Sequence, residues 1–321
     1  MDLYKRLTAK AKKKQKTIIL PESYDERVIE TAKIILKKHL AKIILIDTGK
    51  GIRIPENRNL DIIDINFSRQ FVNEYAKIKK KKNPRYPFQQ AEADLKDPLT
   101  FSCMLLKNKF ADAIVAGSVY ETSAVIRNAL AIIGLSKNNK TVSSFFLFTF
   151  PKGHFLQNKV LSYADCGVLP NPTAGQLSDI AIQTAMNHKK LTGTSPKVAF
   201  LSFSTKGSAK DDSLNKVIKA FELTKKRVPK LVCDGELQFD AAFVLDAARR
   251  KNPKGRIRGD ANVFIFPDLN SGNIAYKITE RIGGATATGP IVQGLAKPVM
   301  DLSRGCSVSD IINMVIVTSV L

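Results

Sequence analysis

The stretch "KPVMDLSRGCSVSDI", Lys297 to Ile311, sets a hydroxyl and a guanidinium side by side at Ser303 and Arg304, with Gly305 next and a carboxylate at Asp310. A guanidinium can neutralise a phosphate or an oxyanion, and a serine can donate to a carbonyl oxygen as charge grows on it. The same letters also describe a helix start. "SVSD" has capping-box spacing, with Ser307 at the N-cap and Asp310 at the third helical position, and Gly305 permits a tight turn before it. On the residues alone, capping is the better account of Asp310, and an ordinary turn accounts for Ser303.

Side chains of this kind need a scaffold, and the hydrophobic patterning describes one. Buried-strand runs alternate with amphipathic helical spacing along nearly the whole chain, the pattern of an α/β fold with a parallel sheet covered on both faces. "KTIIL" leads through "PESYDERVIETAKIILKKH", whose Val28, Ile29, Ala32 and Ile35 form an apolar stripe, to the strand "AKIILID". "ADAIVAG" predicts a strand and "SAVIRNALAII" the helix after it, whereas "VSSFFLFTF" breaks the alternation and predicts an antiparallel element or passage into a second lobe. "NPTAGQLSDIAIQTAMNHKK" is a helix entered through Pro172 or Thr173, and "KVAFLSFS" is the strand after it. "DAAFVLDAARRK", "ANVFIFPD" and "SGNIAYKITERIGG" repeat the order helix, strand, helix, before "GPIVQGLAKPVMDL" and the closing helix "SDIINMVIVTSVL". Three strand-to-helix junctions, 116–123, 203–210 and 267–273, are rich in small polar residues that could hold an anion on free helix N–H groups, although capping explains each as well. Neither GxGxxG nor GxxxxGK[ST] occurs, which argues against the usual dinucleotide fold and against a P-loop NTPase.

Composition narrows the classes further. A chain of 321 residues with 44% hydrophobic content suggests two lobes. The basic start "MDLYKRLTAKAKKKQKTIIL" has too short an apolar run for a signal segment, and nowhere do about 20 apolar residues run together, so a soluble cytoplasmic protein with no membrane partner is expected. Cys103, Cys166, Cys233 and Cys306 show no CxxC spacing and only three histidines are present, so neither a disulfide frame nor a metal site is expected. The formal charge of +22 invites a nucleic-acid reading. Its lysines are scattered, however, and the dense run "KIKKKKNPRYP" has no aromatic before Tyr86 to serve as a stacking platform, so no nucleic acid is expected as partner. The field would still draw in small polyanions.

The motifs "KDPLTF", "ADAIVAG", "YADCGVLPNPTAGQLSDIAIQTA", "LSFSTKGSAK", "CDGELQFDAA", "ANVFIFPDLNSGNIAYKI" and "GPIVQGLAKPVMDLSRGC" occur in an order, and over nearly the full length, that resembles the phosphate acetyltransferase (phosphotransacetylase) family. The resemblance implies the reaction acetyl-CoA + phosphate ⇌ acetyl phosphate + CoA, with CoA as substrate and no separate cofactor, in a cytoplasmic homodimer. It also implies two α/β/α lobes of isocitrate/isopropylmalate dehydrogenase-like type: domain I from 1–138 plus 290–321, domain II from 139–289, and a cleft between them. Its catalytic serine, arginine and aspartate fall on Ser303, Arg304 and Asp310, and its arginines for CoA or phosphate fall on Arg127 and Arg281. The chain departs from the family pattern in two places. Met300 stands where asparagine is common, and a further family arginine has Lys79 as its nearest counterpart, which keeps the charge without the two-pronged contact to phosphate.

The implied chemistry needs a thiolate, since that is the nucleophilic form of CoA. A free aspartate near ~3.9 and a thiol near ~8.5 differ by roughly five units, or about 6 kcal/mol, so burial of the base or a guanidinium beside the sulfur must close the gap. Arg304 is the natural choice for that guanidinium. Direct transfer in a ternary complex is expected rather than an acyl-enzyme, with Cys166 the thiol to test against it. The rivals are a phosphate acyltransferase for a longer group such as butyryl, an NAD-dependent decarboxylating dehydrogenase, for which no metal-binding aspartate cluster is found, and a basic nucleic-acid-binding protein.

Overall fold

A computed structural model describes residues 3–137 and 139–321. The first stretch runs α1 (Leu3–Lys13), β1 (Thr17–Leu20), α2 (Glu26–Lys37), β2 (Lys42–Asp47) and β3 (Leu60–Asp64). After a 3₁₀ segment (Ile65–Phe71) come α3 (Val72–Lys80), α4 (Phe88–Asp94), α5 (Pro98–Lys107), β4 (Ala113–Ala116) and α6 (Thr122–Ile132). Asp25 starts α2 by accepting from the Arg27 N–H at 2.9 Å, and the helix buries Val28, Ala32, Ile35 and Leu36. Residues 18–20 of β1 and 43–46 of β2 are buried throughout, as parallel strands covered on both faces must be. β3 is the exception, an edge strand with Asp61 and Asp64 exposed, and charge on an edge discourages further pairing.

The middle stretch forms a compact unit of its own, residues 139–294. It contains β5 (Ser143–Thr149), β6 (Leu161–Ala164), α7 (Ala174–Thr192), β7 (Lys197–Leu201), α8 (Asp212–Arg227), β8 (Val232–Leu237), α9 (Phe239–Phe243), α10 (Leu245–Lys251), β9 (Val263–Ile265), α11 (Leu269–Arg281) and β10 (Thr286–Gln293). Its sheet has the order β10-β5-β6-β9-β7-β8. The run that broke the alternation is β5, antiparallel to both β6 and β10, while β6, β9, β7 and β8 are mutually parallel. Helix α7 begins with a complete capping box between Thr173 and Gln176 and ends at Gly193, whose φ of 71° is the left-handed conformation of a helix stop. "DAAFVLDAARRK" is two helices rather than one. The chain turns extended at Val244, where Gly259 packs so closely that a Cβ on it would lie 2.4 Å from the Leu245 nitrogen.

The chain then returns to the first unit, which comprises 3–137 and 295–321, through β11 (Val299–Asp301) and α12 (Val308–Val320). Pro290–Gln293, assigned from sequence to the first domain, instead complete β10 against β5. The first sheet has the order β11-β4-β1-β2-β3 and every pairing in it is parallel. Helix α12 packs on α1, α2 and β4 through Ile311, Met314, Val315 and Val317. From β1 the chain crosses to β2 on one side and comes back to β4 on the other, so the loops after β1 and β4 diverge. Such a switch point, at the carboxyl ends of the strands, is where open α/β sheets place ligands.

Candidate active site

At that switch point the protein supplies an anion of its own. Glu22, directly after β1 and 1% exposed, accepts from the N–H groups of Gly117 and Ser118 at 3.0 Å, from those of Val119 and Tyr120 at 2.7 Å, and from the Ser118 hydroxyl at 2.8 Å. The 116–123 junction, one of three that could have held an external anion, is therefore filled from within. So is 203–210, where the buried Glu236 accepts from the Ser204 hydroxyl at 2.9 Å and Gly207 N–H at 2.7 Å. At 267–273, Asp268 caps α11 through Ser271 N–H at 2.8 Å.

Beside Glu22, Arg27 ties three segments together. One terminal nitrogen donates to the carbonyls of Arg304 and Cys306, both at 2.8 Å, and the other donates to the Ser118 carbonyl at 2.8 Å and to Asp25 at 2.6 Å. Burial raises the Asp25 carboxyl, but the hydrogen bonds and charge of Arg27 outweigh it and hold it below the usual range. The turn from β11 to α12 is thus fixed by its backbone, which leaves the Ser303 and Arg304 side chains exposed. The Arg304 guanidinium lies 4.0 Å from Glu121.

Within that turn, Ser303 accepts from Gly305 N–H at 3.3 Å. Gly305 does not sit in the left-handed region, and a Cβ on it would meet only the Ser303 hydroxyl, 3.9 Å away. The turn itself does not demand glycine there; its smallness leaves open space beside the serine. Asp310 occupies the capping box foreseen for it, its Oδ2 accepting from the Ser307 N–H at 2.9 Å and hydroxyl at 2.8 Å, while the Asp310 N–H donates back to that hydroxyl at 3.2 Å. It is exposed, and both bonds it accepts in the box go to Oδ2.

The strand end contributes one more carboxylate. Asp301 is 1% exposed and accepts from the Thr122 hydroxyl at 2.6 Å. Burial pushes its carboxyl up to about 6, the Thr122 hydrogen bond opposing and the charge of Glu22 assisting. Gly117 is required here: its φ is +107°, and a Cβ would lie 2.6 Å from both Asp301 Oδ1 and the Leu302 nitrogen. On the far side of β1, an open cavity of about 730 Å³ lies at the ends of β1 and β2, lined by Tyr24, Glu26, Lys33, Asp47 and Arg53 among others.

Ser303 and Arg304 thus lie on the turn after β11, with Glu121, just before α6, 4.0 Å from Arg304, and Asp310 lies in the first turn of α12 that follows. Arg127 is exposed farther along α6. Lys79 has partners of its own, with Asp94 at 3.8 Å and the rings of Tyr75 and Tyr86 at 5.6 and 5.3 Å. Arg281 belongs to the other unit, at the end of α11, where it is 81% exposed and 3.5 Å from Glu280. Glu22, Arg27 and Asp301 were not singled out from sequence. The signal available was an acid at the end of a buried strand, in "TIILPES" and "PVMDL".

The family model described as "Phosphate acetyl/butaryl transferase" matches residues 2–319. The chain belongs to this family. It is 43% identical to the phosphate acetyltransferase of Acetivibrio thermocellus, over 100% of this chain and 98% of that protein. Its fold matches the crystal structure of a phosphotransacetylase from Streptococcus pyogenes with a TM-score of 0.91 at 36% identity, over 99% of this chain and 97% of that one. A phosphotransacetylase from Staphylococcus aureus matches with a TM-score of 0.88 at 35% identity, over 99% and 98% of the two chains. Two α/β units are thus the architecture of the family's solved members as well as of this chain.

Proposed function

We propose that the protein transfers acetyl between CoA and inorganic phosphate: acetyl-CoA + phosphate ⇌ acetyl phosphate + CoA. The observation that carries this assignment is the Ser303–Arg304 turn, pinned through its backbone by Arg27 and open at its side chains, in a chain that matches the family over 2–319. In the direction that makes acetyl-CoA, the CoA thiolate attacks the acetyl carbonyl of acetyl phosphate. The carbon–sulfur bond forms, the carbon–oxygen bond to phosphate breaks, and phosphate leaves as an anion. Ser303 donates to the carbonyl oxygen as it becomes an oxyanion, and Arg304 neutralises that oxygen or the phosphate. Asp310 takes the thiol proton through Oδ1 while Oδ2 remains in the capping box. Arg127 and Arg281 are assigned to the anionic parts of the substrates by the family resemblance. Lys79 can join them only by giving up Asp94.

The thiols of the chain favour direct transfer over an acyl-enzyme. Burial pushes Cys166 well above its ordinary value and Cys306 up to about 11, which leaves little thiolate on either at neutral pH. No resident cofactor or metal is invoked. Among the described residues no helix is long and apolar enough to cross a membrane, and a cytoplasmic setting suits the substrates. A homodimer is part of the proposal, supported by the outward stripe Ile274, Ile278 and Ile282 on and just beyond α11, exposed by 58, 52 and 83%. Butyryl as acyl group is the alternative that the family description spans; the relatives above are acetyltransferases or phosphotransacetylases, and acetyl follows from them.

The test is acylation of CoA with acetyl, propionyl and butyryl phosphates, with initial velocities taken against both substrates. Acetyl phosphate should give the highest kcat/KM, the lines should intersect, and Cys166→Ala should remain active. Parallel lines with acetyl trapped on the protein would show a covalent intermediate, and a preference for butyryl phosphate would replace acetyl as the substrate.

A further inference from the structure

The open cavity at the ends of β1 and β2 takes no part in the proposed reaction. Part of its lining is apolar: Ile46 is buried at the end of β2, and Ile29 of α2 and Ile52 of the loop after β2 are half-buried. Ser23 ties the two strand ends together by donating to the Ile46 carbonyl, and Tyr24 adds an aromatic ring to the lining. From α2 come Glu26, Glu30 and Lys33 on one helical face, with Glu30 3.9 Å from Lys33. The loop of residues 47–53 contributes Asp47, Lys50 and Arg53. Among the described residues, Lys50 and Arg53 have no carboxylate partner. Asp47 shapes the loop by accepting from the N–H groups of Gly49 at 2.9 Å and Gly51 at 3.3 Å, and both bonds go to Oδ1, so Oδ2 keeps its capacity to accept.

A volume of about 730 Å³ falls within the ~300–1,000 Å³ of small-molecule sites. The charges of the lining balance, three acids against three bases, so a bare inorganic anion gains little from it. A ligand that uses the whole lining has an anionic end for Lys50 and Arg53, hydroxyl or amine hydrogens for the carboxylates, and a flat body for the isoleucines and Tyr24. A ribonucleotide has all three. An acid at the end of the second strand of a parallel sheet is also how dinucleotide folds hold a ribose, although here the phosphate must be held by side chains, since no glycine-rich helix start is present.

We propose that this cavity binds a free ribonucleotide, with Asp47 accepting from the ribose 2′,3′-diol and Lys50 and Arg53 holding the phosphate. The same contact excludes CoA, whose ribose carries a 3′-phosphate that would set like charge against Asp47. The site is additional to the reaction centre, and it does not depend on the acetyl-transfer assignment.

Calorimetric titration of the whole protein, saturated with CoA, tests this with AMP, 2′-deoxy-AMP, adenosine and adenosine 3′,5′-bisphosphate. At low salt AMP should bind about tenfold or more tighter than adenosine, and about 5–50-fold tighter than 2′-deoxy-AMP and the bisphosphate. Asp47→Asn keeps an oxygen for the glycine N–H groups but offers an amide where Oδ2 stood, and should bring AMP and 2′-deoxy-AMP within about twofold of each other. Lys50→Ala combined with Arg53→Ala should do the same for AMP and adenosine. Both variants should bind CoA as the wild type does, which also reports that they are folded. AMP that fails to bind in the presence of CoA, AMP that binds no tighter than adenosine, or ratios that neither variant moves would overturn the inference. No turnover is needed: failure of acetyl transfer leaves the nucleotide site in place, and failure of AMP binding leaves the transfer assignment untouched.

Discussion

At the residue scale, the cap that Asp310 forms and the base proposed for it can be separated by substitution. An asparagine there can still accept from the Ser307 N–H, so Asp310→Asn should keep nearly normal stability while turnover at neutral pH falls by a factor of about 10²–10⁴. The deficit should shrink as pH rises through the thiol's own titration, because hydroxide then supplies thiolate. Ser307→Ala removes the cap and should cost about 0.5–2 kcal/mol of stability with most turnover retained. Thermal unfolding and pH–rate profiles of both variants decide the matter: a fast Asp310→Asn enzyme with a lowered Tm would leave Asp310 as a cap only.

At the scale of elements, the loop after β4 is shaped around Glu22. Glutamine offers one acceptor oxygen where four N–H groups and a hydroxyl converge, and turns its own N–H groups toward donors. Glu22→Gln should therefore destabilise the first unit by about 2–5 kcal/mol, read as a lower denaturant midpoint with an unchanged slope. A midpoint within experimental error of wild type would mean that the loop holds its shape without the carboxylate. Elements of this kind were legible from sequence where the information is local: the apolar stripe of α2, the unbroken runs of β1 and β2, and the capping box of Ser307 and Asp310 follow from neighbours within four residues. Glu22, Arg27 and Asp301 were not, because their partners lie 95, 277 and 179 residues away and meet them only through the strand order. Similarly, the break at Val244 depends on the approach of Gly259, and nothing in "AAFVLDAAR" announces it. The Ser303–Arg304–Asp310 spacing was visible, but its bland explanation as turn and cap fits the local letters equally well.

For the whole molecule, the formal charge of +22 is a statement about encounter rather than fold. Several acids are consumed internally: Glu22, Asp165, Glu236 and Asp301 are all buried, so the exterior is more basic than the sum suggests. CoA is a polyanion, and its capture should be steered by this field. We expect kcat/KM for CoA to fall about tenfold or more between roughly 20 and 300 mM salt while kcat hardly moves, since contacts inside the site are screened far less than the approach to it. A kcat/KM independent of salt would show that the surface charge has no part in substrate capture.

The first unit is interrupted by the second, and that fixes an order in time. During synthesis, residues 139–294 are complete and able to fold before β11 exists. Until then β4 is an open edge, Arg27 lacks two of the carbonyls it will bind, and the faces of α1 and α2 that α12 covers stand bare. Ser303 and Arg304 arrive with the segment that cures all three. The proposed reaction centre is thus assembled by the same late event that closes the first unit, and a nascent chain stopped short of residue 300 carries neither.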